Sequence, residues 1–423
     1  MTGGVSGLEA GVYHYVSRDH ALERRAALRG DSALTGGILV GLGSIYWREA
    51  WKYGIRAFRY CQHDCGHAIA AVAYAAAALG LHAQVLKQAG DADVARLLGL
   101  DRDADFVSAE REEPDCLLWV GAAEPPPLDA LLAAVDGAEW SGHANRLSAA
   151  HVDWPDIDIA HGATAKPRTP ESPRFTSRPP VPARAPPLDL TTATIIRQRR
   201  SAVDFDGVTS IEDSSLFAML EPLIPRSGTP PWDCWPDAPR AHLALFVHRV
   251  GGLEPGLYVL ARDLDAMARL KRTMRSEWLW RKAGPKDLAL YLLIADDVRD
   301  AARTVSCHQD IAADSCFTVA MLADFDAASR EPWRYRALHW ECGIIGQVLY
   351  LEAEAAGVRA TGIGCFFDDA LHRLLGLPVG APGEWQTLYH FTVGGAVDDP
   401  RLTTLPPYGE RLPPRLGSST RDT

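Results

Sequence analysis

The chain repeats itself, and that constrains its folding more than any other feature of the sequence. Asp64-Cys65-Gly66 returns as Glu341-Cys342-Gly343, Gly80 as Gly357, and Arg96-Leu97-Leu98-Gly99-Leu100 as Arg373-Leu374-Leu375-Gly376-Leu377, all at one offset without a gap. Chance matching of alanine-rich text rarely keeps register over such a span, so the two stretches read as copies of one folding unit. Looser echoes flank them. GLEAGVY at Gly7–Tyr13 matches GLEPGLY at Gly252–Tyr258, and Val120-Gly121 matches Val393-Gly394. The copies are unequal: roughly sixty residues, from Thr191, precede GLEPGLY in its unit, but only six precede GLEAGVY. The first unit is therefore expected to lack the opening part of the domain.

A compositional break separates the copies. Pro167 to Pro187 reads PRTPESPRFTSRPPVPARAPP, a run that favours extended, hydrated backbone and acts as a spacer. The expected organisation is an incomplete unit at 1–150, a Pro-rich linker at 151–190, a full unit at 191–410 and a tail at 411–423. Short apolar runs bounded by turn residues predict strands at Leu243–His248, Gly256–Leu260, Ala289–Ala295 and Leu388–Val393. Ser214–Leu223, His308–Ala327 and Arg334–Ala356 read as helices, the last stopped by Gly357. This mixture is an α+β pattern.

The bulk properties narrow the class of function. With 423 residues the chain accommodates two ordinary domains, each with its own core. A formal charge of −11 argues against a nucleic-acid surface, which needs clustered Lys and Arg. Eight cysteines are too few for a dense disulfide framework and are read as reduced thiols. No basic segment followed by an apolar core opens the sequence, so a cytoplasmic location is expected. Ala68–Leu86 holds one residue that ionises near neutral pH, His82, but is mostly alanine and reads as a tightly packed helix rather than a membrane span.

The strongest local constellation is IIRQRRSAVDFDG at Ile195–Gly207, where Arg197, Arg199, Arg200 and the hydroxyl of Ser201 follow an apolar helix end. Arginine forks suit a phosphate dianion, and a serine hydroxyl donates to a phosphate or a ring carbonyl. The same residues also suit a solvated basic helix face. CQHDCGH at Cys61–His67 looks like a metal box, yet on one helix its cysteines and histidines face apart and cannot close a tetrahedron, so no metal site is expected. Cys307-His308 are chain neighbours that do not face each other in a helix. GLEPG and GLEAG lack the spacing of a phosphate loop.

RRSAVDFDG resembles the opening Arg-Arg-Ser signature of the nitroreductase superfamily, and YRALHWECGIIGQVLYLEAEAAGVRATGIGCFFDD resembles its long central helix and the segment that passes under the flavin. GLEPGLY, CHQDIAADSCF and LYHFTVGG are similar to the branch containing SagB-type thiazole/oxazole oxidases, in which tandem-repeat members occur. The resemblance implies an FMN-dependent, nitroreductase-like fold: a mixed, mostly antiparallel sheet flanked by helices, with two tandem repeats forming an intramolecular pseudo-dimer and the first incomplete. It assigns FMN contacts to Arg199, Ser201 and the adjacent Arg200, to Gly362, Gly364 and Cys365 beneath the ring, and to Arg401 beyond the last strand. It also implies a Pro-Ser-Ser/Gly-Asn-like loop given by one subunit to the other's site; the matching stretch here reads PPWDCWPDAP.

The implied activity is two-electron transfer through the flavin, with NAD(P)H or an organic donor and a small molecule or modified peptide as substrate. The competing reading is a flavin-free scaffold or inactive fragment with the same fold. Loss of part of a domain would bare apolar surface, so self-association is also expected.

Overall fold

The computed structural model describes residues 1–28, 34, 36–180, 190–380 and 383–405. The alanine- and glycine-rich stretches form two helices of 22 residues each, Ala57–Ala78 and Arg334–Ala355, which pack on each other. Small residues set this contact. A Cβ on Gly66 would collide with the Trp340 carbonyl, and one on Gly343 with the His63 carbonyl, so the two backbones touch where the helices cross. Each helix is followed by a left-handed glycine, Gly80 at φ +71° and Gly357 at φ +79°.

The second half is built on a seven-stranded antiparallel sheet. In the first half lie β1 (Gly11–Val16), β2 (Ala21–Ala27), β3 (Gly37–Ser44), β4 (His82–Val85), β5 (Glu113–Gly121) and β6 (Glu139–Trp140). The second half continues with β7 (Ile211–Glu212), β8 (Ala241–Val247), β9 (Val250–Gly251), β10 (Gly256–Ala261), β11 (Arg281–Ala283), β12 (Ala289–Ala295), β13 (Phe317–Asp324), β14 (Arg359–Ile363) and β15 (Trp385–Gly394). The large sheet runs β11-β12-β10-β8-β13-β15-β14, and a short parallel pair joins β7 to β9. The first half holds two three-stranded sheets, β1-β2-β6 and β3-β5-β4. Between them Thr2 bridges both Gly11 and Ile38, the place that Val247 of β8 takes between Gly256 and Phe317.

The correspondence extends to irregularities. The two long helices keep one offset at both ends (334 − 57 and 355 − 78 each give 277). Register shifts fall at Val12/Tyr13 in the β1–β2 pair and at Leu257/Tyr258 in β10–β12. Likewise they fall at Leu42/Gly43 in β3–β5 and at Met321/Leu322 in β13–β15. Bulges are specific, sequence-set features, so their matched positions are compatible with a two-repeat arrangement. One buried cluster spans both halves, with Cys65, Ile69, Ala73 and Val85 packed together with Ile345, Val348, Leu349 and Phe391.

Several expectations are corrected. His308–Ala327 is not one helix: a short helix at Ile311–Asp314 is followed by β13, every residue of which is buried. A strand covered on both faces presents a continuous apolar run, which periodicity cannot tell from a buried helix. Ala68–Leu86 stays helical only to Ala78 and then turns into β4. The Pro-rich stretch is not a free spacer where it is described. A helix covers Pro155–Ala163, Thr169 N donates to Gln88 O (3.0 Å) and Phe175 N donates to Pro236 O (2.9 Å). Residues 181–189 of the expected linker and the expected tail at 411–423 lie outside the described residues. Cys307 and Cys365 are joined as a disulfide, with Cα atoms 5.8 Å apart, so not all eight cysteines are free thiols. Among the described residues no helix is long and apolar enough to cross a membrane.

Candidate functional site

Strand β14 forms one edge of the large sheet, and the Arg199–Ser201 segment docks on it. The side chain of Thr191 caps a short helix at Thr192–Gln198 by accepting from Thr194 N (3.2 Å). The chain then extends, so that Ser201 bridges Ala360 and Ala202 N donates to Ala360 O (3.0 Å). This brings Arg199 and Ser201 to Tyr350, near the end of the second long helix. Ser201 Oγ lies 2.8 Å from the Tyr350 hydroxyl, which also accepts from Gly362 N at 3.3 Å. The Arg199 guanidinium sits over the Tyr350 ring, 4.5 Å from its centroid. Among the described residues Arg199 makes no ion pair, so a partly exposed cation, an exposed hydroxyl and a glycine backbone meet at one place without a carboxylate.

The first half completes the surroundings. His67 Nδ1 faces Gln347 Oε1 (3.1 Å) and its Nε2 faces the Tyr389 hydroxyl (3.3 Å). Since a carbonyl oxygen only accepts, these partners assign the proton to Nδ1, and Tyr389 donates to Nε2. Burial pushes the His67 imidazole down to about 4 with Arg199 adding to the effect, and burial pushes the Tyr389 phenol up. Both groups are thus neutral at pH 7 and serve as an ordered hydrogen-bonding pair. His63 stacks on Tyr389 with ring centroids 4.0 Å apart. Tyr389 and Tyr60 occupy the space that a Cβ on Gly362 and Gly364, respectively, would enter. Arg56 Nη1 lies 2.8 Å from Cys365 Sγ.

The structure therefore brings Arg199, Ser201 and Gly362 together at Tyr350, whereas Gly364 and Cys365 follow the end of β14 and meet Tyr60 and Arg56. Arg200 turns to carbonyl oxygens of Arg197, Arg199 and Leu405. Arg401 pairs with Asp399 (2.6 Å) on an exposed turn. Sequence reasoning missed Tyr350, His67, Tyr389, Tyr60 and Arg56. His67 stood in the supposed metal box, and the only signal for its place was the repeat, which puts the two long helices side by side.

At the same offset, Val85–Gln88 correspond to Gly362–Cys365, but there the chain covers itself. Val85 N donates to Cys234 O (3.1 Å), Lys87 pairs with Asp237 (2.5 Å), and Trp232, Cys234 and Trp235 are buried. PPWDCWPDAP thus caps the first-half counterpart of the site, leaving a small cavity bordered by Trp235, Trp340, Arg336 and Lys166.

Mostly antiparallel sheets flanked by helices, paired through two central helices, define a nitroreductase-like fold. Residues 249–395 match the model of the Nitroreductase family. No curated protein sequence matches the chain. Among solved structures, a nitroreductase-like protein from Anabaena variabilis is similar over 94% of this chain and 79% of its own, with TM-score 0.65 and 19% identity. One from Ralstonia eutropha shares 15% identity over 55% of this chain and 97% of its own, with TM-score 0.35. One from Exiguobacterium sibiricum, in complex with FMN, shares 14% identity over 55% and 96%, with TM-score 0.28.

Proposed function

We propose that the chain is an FMN-dependent oxidoreductase whose two halves are tandem copies acting as an intramolecular pseudo-dimer, with one cofactor site per chain. The observation that carries this reading is the meeting of Arg199, which makes no ion pair among the described residues, the Ser201 hydroxyl and the Gly362 backbone at Tyr350, which lies inside the stretch that matches the Nitroreductase family. A cation without a carboxylate suits a phosphate, and a hydroxyl suits a phosphate or ring oxygen. In this reading Arg199 and Ser201 hold the phosphate and ring edge, Gly362, Gly364 and Cys365 lie under the ring, and Arg200 and Arg401 contribute positive charge nearby. Bound FMN supplies two-electron transfer between NAD(P)H or an organic donor and an acceptor. The Tyr389–His67 pair orders the floor of the site in neutral form.

The substrate is a small molecule or a modified peptide, in line with a SagB-type branch, and the protein works in the cytoplasm. The covered Val85–Gln88 face supports a single site rather than two. A flavin-free scaffold is the alternative, favoured by one observation: Ser201 and Gly362 already have Tyr350 as a partner. The visible absorption spectrum after FMN loading and desalting decides between them. Retained oxidised-flavin bands at one per chain, abolished in Arg199→Ala/Ser201→Ala, are expected; a folded, colourless protein would establish the scaffold.

A further inference from the structure

We propose that Cys307 and Cys365 form an exchangeable disulfide, a thiol–disulfide exchange centre for small dithiols in which Cys365 is the leaving thiolate and Arg56 stabilises it. Three observations lead there. The other six cysteines are all buried, whereas both members of this pair are partly exposed. Burial pushes up the thiols of Cys61, Cys65, Cys234, Cys342 and Cys316, the last to about 11, and so keeps them in the unreactive protonated form. Next, Arg56 places a guanidinium nitrogen 2.8 Å from Cys365 Sγ, and no residue gives Cys307 a comparable cation among the described contacts. A nearby cation favours the thiolate, and the sulfur with the more stable thiolate leaves faster.

The two cysteine-bearing loops are also tied together independently of the bond. Phe367 N donates to Val305 O (2.8 Å), and Gln309 Nε2 donates to Cys365 O (3.1 Å). The sulfurs therefore stay within reach once the bond opens, as reversible exchange demands. Cys307 and His308 both adopt φ +58°, a conformation that side-chain-bearing residues rarely take, which marks this loop as the side that yields.

The step balances as follows. A thiolate of the dithiol attacks Cys307 Sγ; the S–S bond breaks and its electron pair stays on Cys365. The second thiol of the donor then attacks the donor sulfur of the mixed disulfide, releasing Cys307 and closing the donor's own disulfide. Two electrons pass from donor to protein, and the donor's two protons end on Cys307 and Cys365. This exchange stands whether or not flavin binds.

The test uses the full-length folded protein and reduced dithiothreitol without denaturant, followed by alkylation and mass analysis, with circular dichroism as a check on the fold. Two new alkyl groups, on Cys307 and Cys365, are expected with the fold intact, and oxidised dithiothreitol should restore the bond. Arg56→Met should slow reduction at neutral pH by roughly three- to tenfold. A bond that resists dithiothreitol until the protein unfolds, or a pair that stays as thiols in oxidised dithiothreitol, would overturn the proposal. An unchanged rate in Arg56→Met would overturn the role of Cys365 as leaving group.

Discussion

The two halves follow one plan, yet they treat the same position in opposite ways. Behind the second-half segment Gly362–Cys365, Arg59 reaches across from the first half to Asp368 at 3.5 Å, with both side chains more than a third exposed. Behind the matching Val85–Gln88, Arg336 reaches across from the second half to Asp91 at 2.6 Å, with the arginine 1% exposed. One cross-half arginine is thus sealed under Trp340 and the PPWDCWPDAP segment while its counterpart borders solvent. The difference teaches that the matched frame, the crossing helices and bulged strands, is kept more closely between the halves than the surface laid over it. One frame can carry an open site on one side and a packed interface on the other.

The frame itself should break most dramatically. Gly343→Val drives a side chain into the His63 carbonyl at the helix crossing, and a loss of about 4 kcal/mol or failure to fold is expected. Gly80→Ala, in open space at φ +71°, should cost only about 1 kcal/mol. Urea denaturation of both variants checks the contrast, and equal losses would refute the proposed crossing. The two arginines come next. Removing one partner of a buried pair strands a charge, so Arg336→Met should cost about 3 kcal/mol. Arg59→Met, at an exposed pair, should cost less than about 1 kcal/mol. Similar urea midpoints for the two would erase the asymmetry described above.

Acid should act on the shared seam. Burial pushes His339 down to about 3 and His67 to about 4, from an ordinary 6.5. The unfolded chain then binds these protons more readily than the folded one. Stability is full above pH 6.5 and falls as pH drops toward 4. Thermal melts across that window should show the decline, and His67→Gln should make it shallower; a flat profile in the native chain would contradict the burial of these rings. The smallest effect belongs to Arg401→Ala. Among the described residues its side chain engages Asp399 on an exposed turn, so stability should change little. A larger drop would mean that Arg401 meets a further group.

Much of this plan was legible in the sequence because repeats and glycines leave marks in the text. The offset linking Asp64-Cys65-Gly66 to Glu341-Cys342-Gly343 marked corresponding stretches in the two halves, and the nitroreductase-like fold was implied by the resemblance carried by RRSAVDFDG and the YRALHWECG stretch. The strands at Ala241–Val247 and Gly256–Ala261 fell where apolar runs ended in turn residues. What stayed hidden was long-range. Nothing in the local pattern of Phe317–Asp324 distinguishes a doubly covered strand from a buried helix, because both are apolar throughout. Nor did the order of residues reveal that Cys307 meets Cys365, that His67 reaches Tyr389, or that Tyr350 gathers Arg199, Ser201 and Gly362. Those meetings depend on packing between residues far apart in the chain, and for His67 on how the halves interlock, which no window of sequence contains.

The buried cluster running from Cys65 and Val85 into Ile345 and Phe391 has a consequence for how this chain comes apart. Each half keeps a core of its own, yet through this shared cluster each also supplies the lid for the other's apolar face, so separating them exposes core on both. The protein should therefore melt in one cooperative transition, and cutting the chain between its halves should leave two fragments that travel together as a tight, non-covalent pair.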